Sequence, residues 1–408
     1  MKANSAPLGD SRWFPVPKDI FSARLLEAME ASACPVCSAW QRSAQSFFFS
    51  LLWEGVNDPS LRHALRESLG FCSHHAHELG ATARQPWAGV LGVAIVYRDL
   101  ANTVLLRLRD ARKRLARRWL PSPPAPTWLR KTRRCPPCEV GDGAARGSML
   151  AMVEGLDTSL RFREFYRQSW GLCLAHTRQA MRMVRTSQAQ VCIAGHASTR
   201  MDGILLRQAA AISELKEFVV GSRPQPGPTR AESVLPNGCL GCRAEAAAER
   251  SYLGEIMPDG VELLWTMLCP KHREHLVFML LREQESERAR CVLVQCAFSE
   301  LDGAASTGGC PLCQQAQDAA RVALGRSMHE AGQTACLQHV WLAFQGASLE
   351  QRLGLLASLE ARLECLSWQL GELARKHDYR FASEPWGAEG DSWLRALDFF
   401  GGDPYTSC

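Results

Sequence analysis

Apolar residues recur every three or four positions over long stretches of this chain, the spacing that lines them along one face of an α-helix. Phe47, Leu51, Leu52, Leu61, Leu65 and Leu69 keep this period on either side of Asn57-Asp58-Pro59, which predicts a helix–turn–helix. Leu91, Ala94, Tyr97, Leu100, Val104, Leu108 and Leu115 predict a long helix after it, and similar runs over 203–220, 287–301 and 353–376 predict three more. The expected class is all-α. The most apolar run, Trp87 to Tyr97, is about half the length that spans a bilayer and ends at Arg98 and Asp99. It reads as a buried helix, and no membrane insertion is expected.

Proline and glycine collect at 121–127, 221–229 and 302–309 and divide the chain into four helical modules, 21–120, 128–220, 236–302 and 308–378. An N-terminal extension, 1–20, precedes them, and a tail with a short helix, 379–408, follows. The 408 residues exceed what one core usually organises, so more than one folded unit is expected.

Cysteine use changes the picture. The N-terminus lacks the charged start and unbroken apolar run of a secretory signal, so the expected location is the cytoplasm. There thiols stay reduced, and 17 cysteines point to metal ligation instead of disulfides. Each module carries a Cys-x-x-Cys pair followed by a Cys-x-x-His pair. Cys34 and Cys37 precede Cys72 and His75; Cys135 and Cys138 precede Cys173 and His176. Cys239 and Cys242 precede Cys269 and His272; Cys310 and Cys313 precede Cys336 and His339. Histidine is only 11 of 408 residues, so its place three positions after four such cysteines is not coincidence.

Three thiolates and one imidazole form a closed tetrahedral set, the pattern of a structural zinc site, and four zinc ions per chain are expected, one per module. A 4Fe-4S cluster is the alternative reading of the same ligands. His74 and His77 flank His75 as competing donors, but the other modules select the third position. Each pair is expected to open a helix. Proline suits the first turn, and the partial positive charge of a helix N-terminus favours thiolate. Cys192, Cys291, Cys296, Cys365 and Cys408 have no partner at ligand spacing and read as small core residues.

The net charge of +5 is unevenly placed, with twelve basic and two acidic residues between Arg98 and Arg134. Arg107, Arg109, Arg112, Lys113, Arg114, Arg117 and Arg118, then Arg130, Lys131, Arg133 and Arg134, are candidates for binding nucleic acid or another acidic partner. A solvated basic helix face explains them equally well, and only seven of the 47 basic residues are lysine, as a GC-rich genome would give. In the tail, Asp391 or Ser392 would cap a short helix with Trp393, Leu394, Leu397 and Phe400 as its apolar face. Docking of that helix on the last module is one reading; a partner- or ligand-binding lip built from Trp386 and Trp393 is the other.

The Cys-Pro-x-Cys pairs, Gly70 to His75, the stretch Tyr97-Arg98-Asp99-Leu100 and the tail Glu384 to Leu397 together resemble an uncharacterised prokaryotic family of unknown function. The resemblance runs along nearly the whole chain and implies the metal sites, but no reaction. No phosphate loop, nucleophile motif or metal site with an open position is present, so catalysis is not expected. The leading expectation is a zinc-binding helical repeat scaffold that serves a protein partner as an adaptor or regulatory assembly factor. Nucleic-acid binding through 107–134 is the first alternative, and an iron–sulfur redox or metallocentre maturation role is the second.

Overall fold

A computed structural model describes residues 20–31, 33–116, 131–197, 239–256, 268–269, 272, 276, 310–326 and 335–402. Among the described residues there are helices and turns but no strand, in keeping with the all-α expectation. The helices are α1 (Ile20–Met29), α2 (Pro35–Trp53), α3 (Pro59–Ser68), α4 (Ser73–Ala83), α5 (Leu91–Ala116), α6 (Pro136–Thr158), α7 (Leu160–Gln168), α8 (Leu174–Met183), α9 (Leu240–Ile256), α10 (Pro311–Arg326), α11 (Leu337–Gly346), α12 (Leu349–Lys376) and α13 (Ser392–Gly401). A further helical stretch covers 187–197. The helices expected at 203–220 and 287–301 lie outside the described residues, whereas the run at 353–376 falls inside α12.

The chain forms two compact units. One comprises Met1–Ser46, Cys138–Phe218 and Val277–Ala304. Its core gathers Leu25 and Met29 of α1, Val36 of α2, Met149, Met152 and Leu156 of α6, and Phe162 and Tyr166 of α7. Within it α2 lies close against α6, where the Trp40 indole covers Gly141 and donates to Asp142 at 3.0 Å. A methyl group at position 141 would fall 2.7 Å from the indole nitrogen, so only glycine permits this approach.

The other unit comprises Phe47–Pro137, Val219–Leu276 and Ala305–Cys408. Its centre is the antiparallel pair α5 and α12, which bury Leu100, Val104 and Leu108 against Leu359, Leu363 and Leu370. Along the rim of that pair Arg109 donates to Glu360 at 2.9 Å and to Glu364, and Arg112 donates to Glu360 at 2.6 Å. Asp58 accepts from the Ser60 and Leu61 amides to start α3, and Ser348 and Gln351 form a reciprocal cap at the start of α12.

The Tyr97-Arg98-Asp99-Leu100 stretch has a structural explanation. Tyr97 and Leu100 are buried, Asp99 takes two hydrogen bonds from Arg66 of α3 at 2.6 and 2.8 Å, and the Arg98 guanidinium passes over Gly371 of α12. The apolar face predicted for the tail, Trp393, Leu397 and Phe400 with Leu394 half-buried, packs α13 onto α11 and α12 of the last module, as expected, and also onto α4 and α5 of the first. Asp391 occupies the N-cap position but its carboxylate holds Arg395 at 2.9 Å instead of capping an amide. Among the described residues no helix is long and apolar enough to cross a membrane.

Candidate metal centres

Among the described residues seven ligand pairs open a helix, as expected: Cys34 precedes α2, Cys135 precedes α6 and Cys310 precedes α10, all beginning on proline, Cys239 precedes α9, and Cys72, Cys173 and Cys336 are the N-cap residues of α4, α8 and α11. The pairs converge into four Cys3His groups. Centre A joins Cys34, Cys37, Cys173 and His176; centre B joins Cys72, His75, Cys135 and Cys138. Centre C joins Cys239, Cys242, Cys336 and His339; centre D joins Cys269, His272, Cys310 and Cys313.

All sixteen candidate residues fall within these four groups, but their partnering corrects the reading of one self-contained site per module. Modules exchange ligands in pairs: the outer Cys-x-x-Cys and outer Cys-x-x-His of each half meet, and the inner two meet. Loop closure does not oppose this. Going from 34 intervening residues to the 136 positions between Cys37 and Cys173 costs only about 1 kcal/mol of chain entropy. Burial of helix faces outweighs that amount. Trp40 and Gly141 hold α2 beside α6, and α9 packs along α10, so the Cys-x-x-Cys helices of each half pair with one another.

Sulfur-to-sulfur separations are 3.8 Å for Cys37 and Cys173, 3.9 Å for Cys242 and Cys336, and 3.7 Å for Cys269 and Cys313. The histidines all turn Nδ1 inward, 3.1 Å from the nearest sulfur at His339 and 3.6 Å from Cys135 at His75. None of the described cysteines forms a disulfide. The field at these groups is strongly negative. Burial would lower the pKa of His176, but the Cys173 and Cys34 sulfurs raise it to about 10. Cys34 lies well below the ordinary thiol range because the Cys173 and Cys37 thiols donate to it. Arg362 supplies positive charge beside Cys239 and Cys336; burial holds its pKa down to about 10, and it donates to the Ala335 carbonyl at 2.7 Å.

Sequence reasoning missed the carboxylates behind the histidines. Glu249 stands 2.9 Å from Nε2 of His272 and Glu245 stands 3.1 Å from Nε2 of His339, both buried. They lie one turn apart on α9, so a single helix places a carboxylate beside the imidazoles of both centre C and centre D. Glu78 lies 3.8 Å from Nε2 of His75. At His272, where Glu249 accepts from Nε2, that acceptor fixes the tautomer that leaves Nδ1 free to ligate. The signal was available: Glu245 follows Cys242 by three residues, and Glu249 follows one helical turn later.

His75, not its neighbours, enters centre B; His74 is exposed, and Nε2 of His77 donates to the Gly402 carbonyl at 2.9 Å. Gly70 and Gly171, each two residues before a ligand cysteine, have φ of +88° and +83°, which is left-handed backbone that favours glycine. A methyl at 171 would also fall 2.3 Å from Cε1 of His196. Gly171→Ala is expected to cost about 1–2 kcal/mol for the backbone alone, plus the collision. Denaturant unfolding should show it more destabilised than Gly70→Ala, whose nearest new neighbour is a Leu100 methyl at 3.2 Å.

The other candidate residues are dispersed. Arg107 donates to the Arg66 carbonyl, Arg109 and Arg112 pair with Glu360, and Arg114 pairs with Asp110. Lys113, Lys131, Arg133 and Arg134 are among the described residues, whereas Arg117, Arg118 and Arg130 lie outside them. Trp393 is buried in the core under the Arg84 guanidinium, and Trp386 is exposed beside Lys376. Cys192 is a buried core residue as expected, but Cys365 is exposed on α12; Cys291, Cys296 and Cys408 lie outside the described residues.

No family model and no solved structure matches the chain. It is similar to an uncharacterised 23.9 kDa protein in the xynA 3' region of Caldicellulosiruptor sp. (strain Rt8B.4), with 35% identity over 79 residues. That match covers 19% of this chain and spans only 36% of the relative's length.

Proposed function

We propose that this protein is a zinc-stapled helical scaffold that binds a protein partner as an adaptor or assembly factor, its modules working as two ligand-exchanged pairs. The observation that carries the metal reading is the spacing of the donors. Zinc bonds of 2.3 Å to sulfur and 2.0–2.1 Å to nitrogen put tetrahedral ligands about 3.8 Å apart between sulfurs and about 3.6 Å apart between sulfur and nitrogen. The sulfur-to-sulfur separations in centres A, C and D, 3.7 to 3.9 Å, and the sulfur-to-nitrogen separations in all four, 3.1 to 3.6 Å, match that set closed around one ion. Thiolates on different irons of a cubane cluster would stand several ångströms further apart. Four protein donors leave no position for substrate, which favours stapling over catalysis.

The adaptor reading draws on an exposed aromatic group. Phe49 and Trp53 stack on the last turns of α2 with centroids 5.9 Å apart, and Trp87 meets Phe49 at 4.8 Å. Their exposures of 51%, 67% and 41% leave large rings in water. Aromatic anchors of this kind dominate protein interfaces. Nucleic-acid binding has less support, because Arg109 and Arg112 are held by carboxylates of α12.

The test is elemental analysis with an absorption spectrum, followed by partner capture. About four zinc ions per chain and no visible band are expected; iron with sulfide and absorbance near roughly 400 nm would overturn the reading. Trp53→Ala is expected to keep all four ions and lose the partner that wild type retains. Equal capture by both would remove the aromatic group from the interface.

A further inference from the structure

The four centres are not equally protected, and centre A differs from the rest in two independent ways. Cys37 is exposed, whereas no ligand of centres B, C or D is. Among the described residues, moreover, the His176 ring meets only the sulfurs of Cys34, Cys37 and Cys173, while a carboxylate stands 2.9 Å from Nε2 of His272, 3.1 Å from that of His339 and, beyond hydrogen-bond reach, 3.8 Å from that of His75. Loss of such a carboxylate typically lowers metal affinity 10–100-fold. Zinc-bound thiolate keeps its nucleophilicity, so a ligand sulfur open to solvent is open to small oxidants.

We propose that Cys37 is a peroxide-reactive zinc thiolate and that centre A releases its metal ahead of the other three. The inference rests on the zinc reading above. The Cys37 sulfur attacks one oxygen of hydrogen peroxide; an S–O bond forms, the O–O bond breaks and hydroxide leaves, so sulfur loses two electrons to the peroxide. A neighbouring ligand thiolate, either Cys34 or Cys173, the latter 3.8 Å away, then attacks the sulfenic sulfur. An S–S bond forms and a second hydroxide departs. With two of its three thiolates consumed, the ion is left with one sulfur and His176 and dissociates as the aquated cation. The tie between the starts of α2 and α8 goes with it.

The experiment uses the full chain, with zinc counted before any oxidant is added. A count other than four zinc ions would fail the zinc reading itself, separately from this proposal. Hydrogen peroxide is then added while a colorimetric zinc indicator follows release, and differential alkylation with peptide mapping locates oxidised thiols. The expected result is a first phase of about one zinc per chain, on the order of tenfold or more faster than the remainder. Cys37 should be joined to Cys34 or Cys173 while Cys239, Cys242 and Cys336 remain reduced. Release of all four ions at one rate, or a first disulfide outside centre A with Cys37 still reduced, would overturn the proposal. Oxidation of the exposed Cys365 releases no zinc and does not confuse the readout. Glu249→Gln provides the second measurement: release from centre D should speed up by about 10–100-fold. An unchanged rate there would overturn the protective role given to the carboxylates.

Discussion

Cys72→Ser is expected to make Cys135 and Cys138 reactive toward alkylating agents while Cys34, Cys37 and Cys173 stay protected. Metal content should fall from four ions to three. The result separates the two ways of partnering the same motifs, because a site confined to the first module would expose Cys34 and Cys37 and spare Cys135. The effect should be large. A structural zinc contributes apparent binding energies of about 10–16 kcal/mol, comparable to or above the whole stability of an ordinary domain, about 5–15 kcal/mol. Removing one ligand therefore releases the start of α4 from the start of α6 and should lower the thermal midpoint of the chain as well. Differential alkylation read by mass spectrometry makes the assignment thiol by thiol; protection of Cys135 with exposure of Cys34 would refute the exchange.

Gly241→Ala should empty centre C. The His339 ring lies across the turn between Cys239 and Cys242, so a methyl at 241 would fall 2.2 Å from Cδ2 and 2.4 Å from Cγ. The ring cannot step aside without cost, because Nδ1 faces the Cys336 sulfur at 3.1 Å and Nε2 faces Glu245 at 3.1 Å. Overpacking a close-fitted site costs about 1–3 kcal/mol even before the metal is lost. Three zinc ions per chain are expected, with the unit that holds centre C unfolding at lower denaturant concentration. Retention of four ions at wild-type stability would mean that the imidazole sits elsewhere. The corresponding positions in the other motifs are Val36, Pro137 and Leu312, so this constraint belongs to centre C alone.

Most of the chemistry was legible from the chain because it depends on local spacing. Two-residue gaps, proline at helix starts and a recurring histidine identify the ligands without any knowledge of what lies far away, and the period of α5 and α12 is equally local. Partnering is not local. Nothing in the Cys34 and Cys37 motif distinguishes Cys72 from Cys173, since the two loops differ by only about 1 kcal/mol in closure entropy. The decision falls to contacts such as Trp40 on Gly141, which involve residues about a hundred positions apart. The basic stretch is only partly legible for a related reason: its charge is plain in the sequence, but Glu360 and Glu364, which hold Arg109, are some 250 positions away. Trp386 and Trp393 look alike on paper and separate only once α13 docks.

The nested order of the ligands also sets a timetable for synthesis. The first Cys-x-x-Cys pair leaves the ribosome well before its partners, for Cys173 follows Cys37 by 136 positions. At roughly 5–20 residues per second that is a wait on the order of ten seconds. The inner pairs, His75 and Cys135, stand only 60 positions apart and meet sooner. Cys72 and His75 emerge before either, and they offer the waiting Cys34 and Cys37 a local partner that the finished protein does not use. A nascent chain that takes up metal there must hand it over before the outer centre can close, so the rate of ligand exchange on the ion, as well as its affinity, governs how cleanly this protein matures.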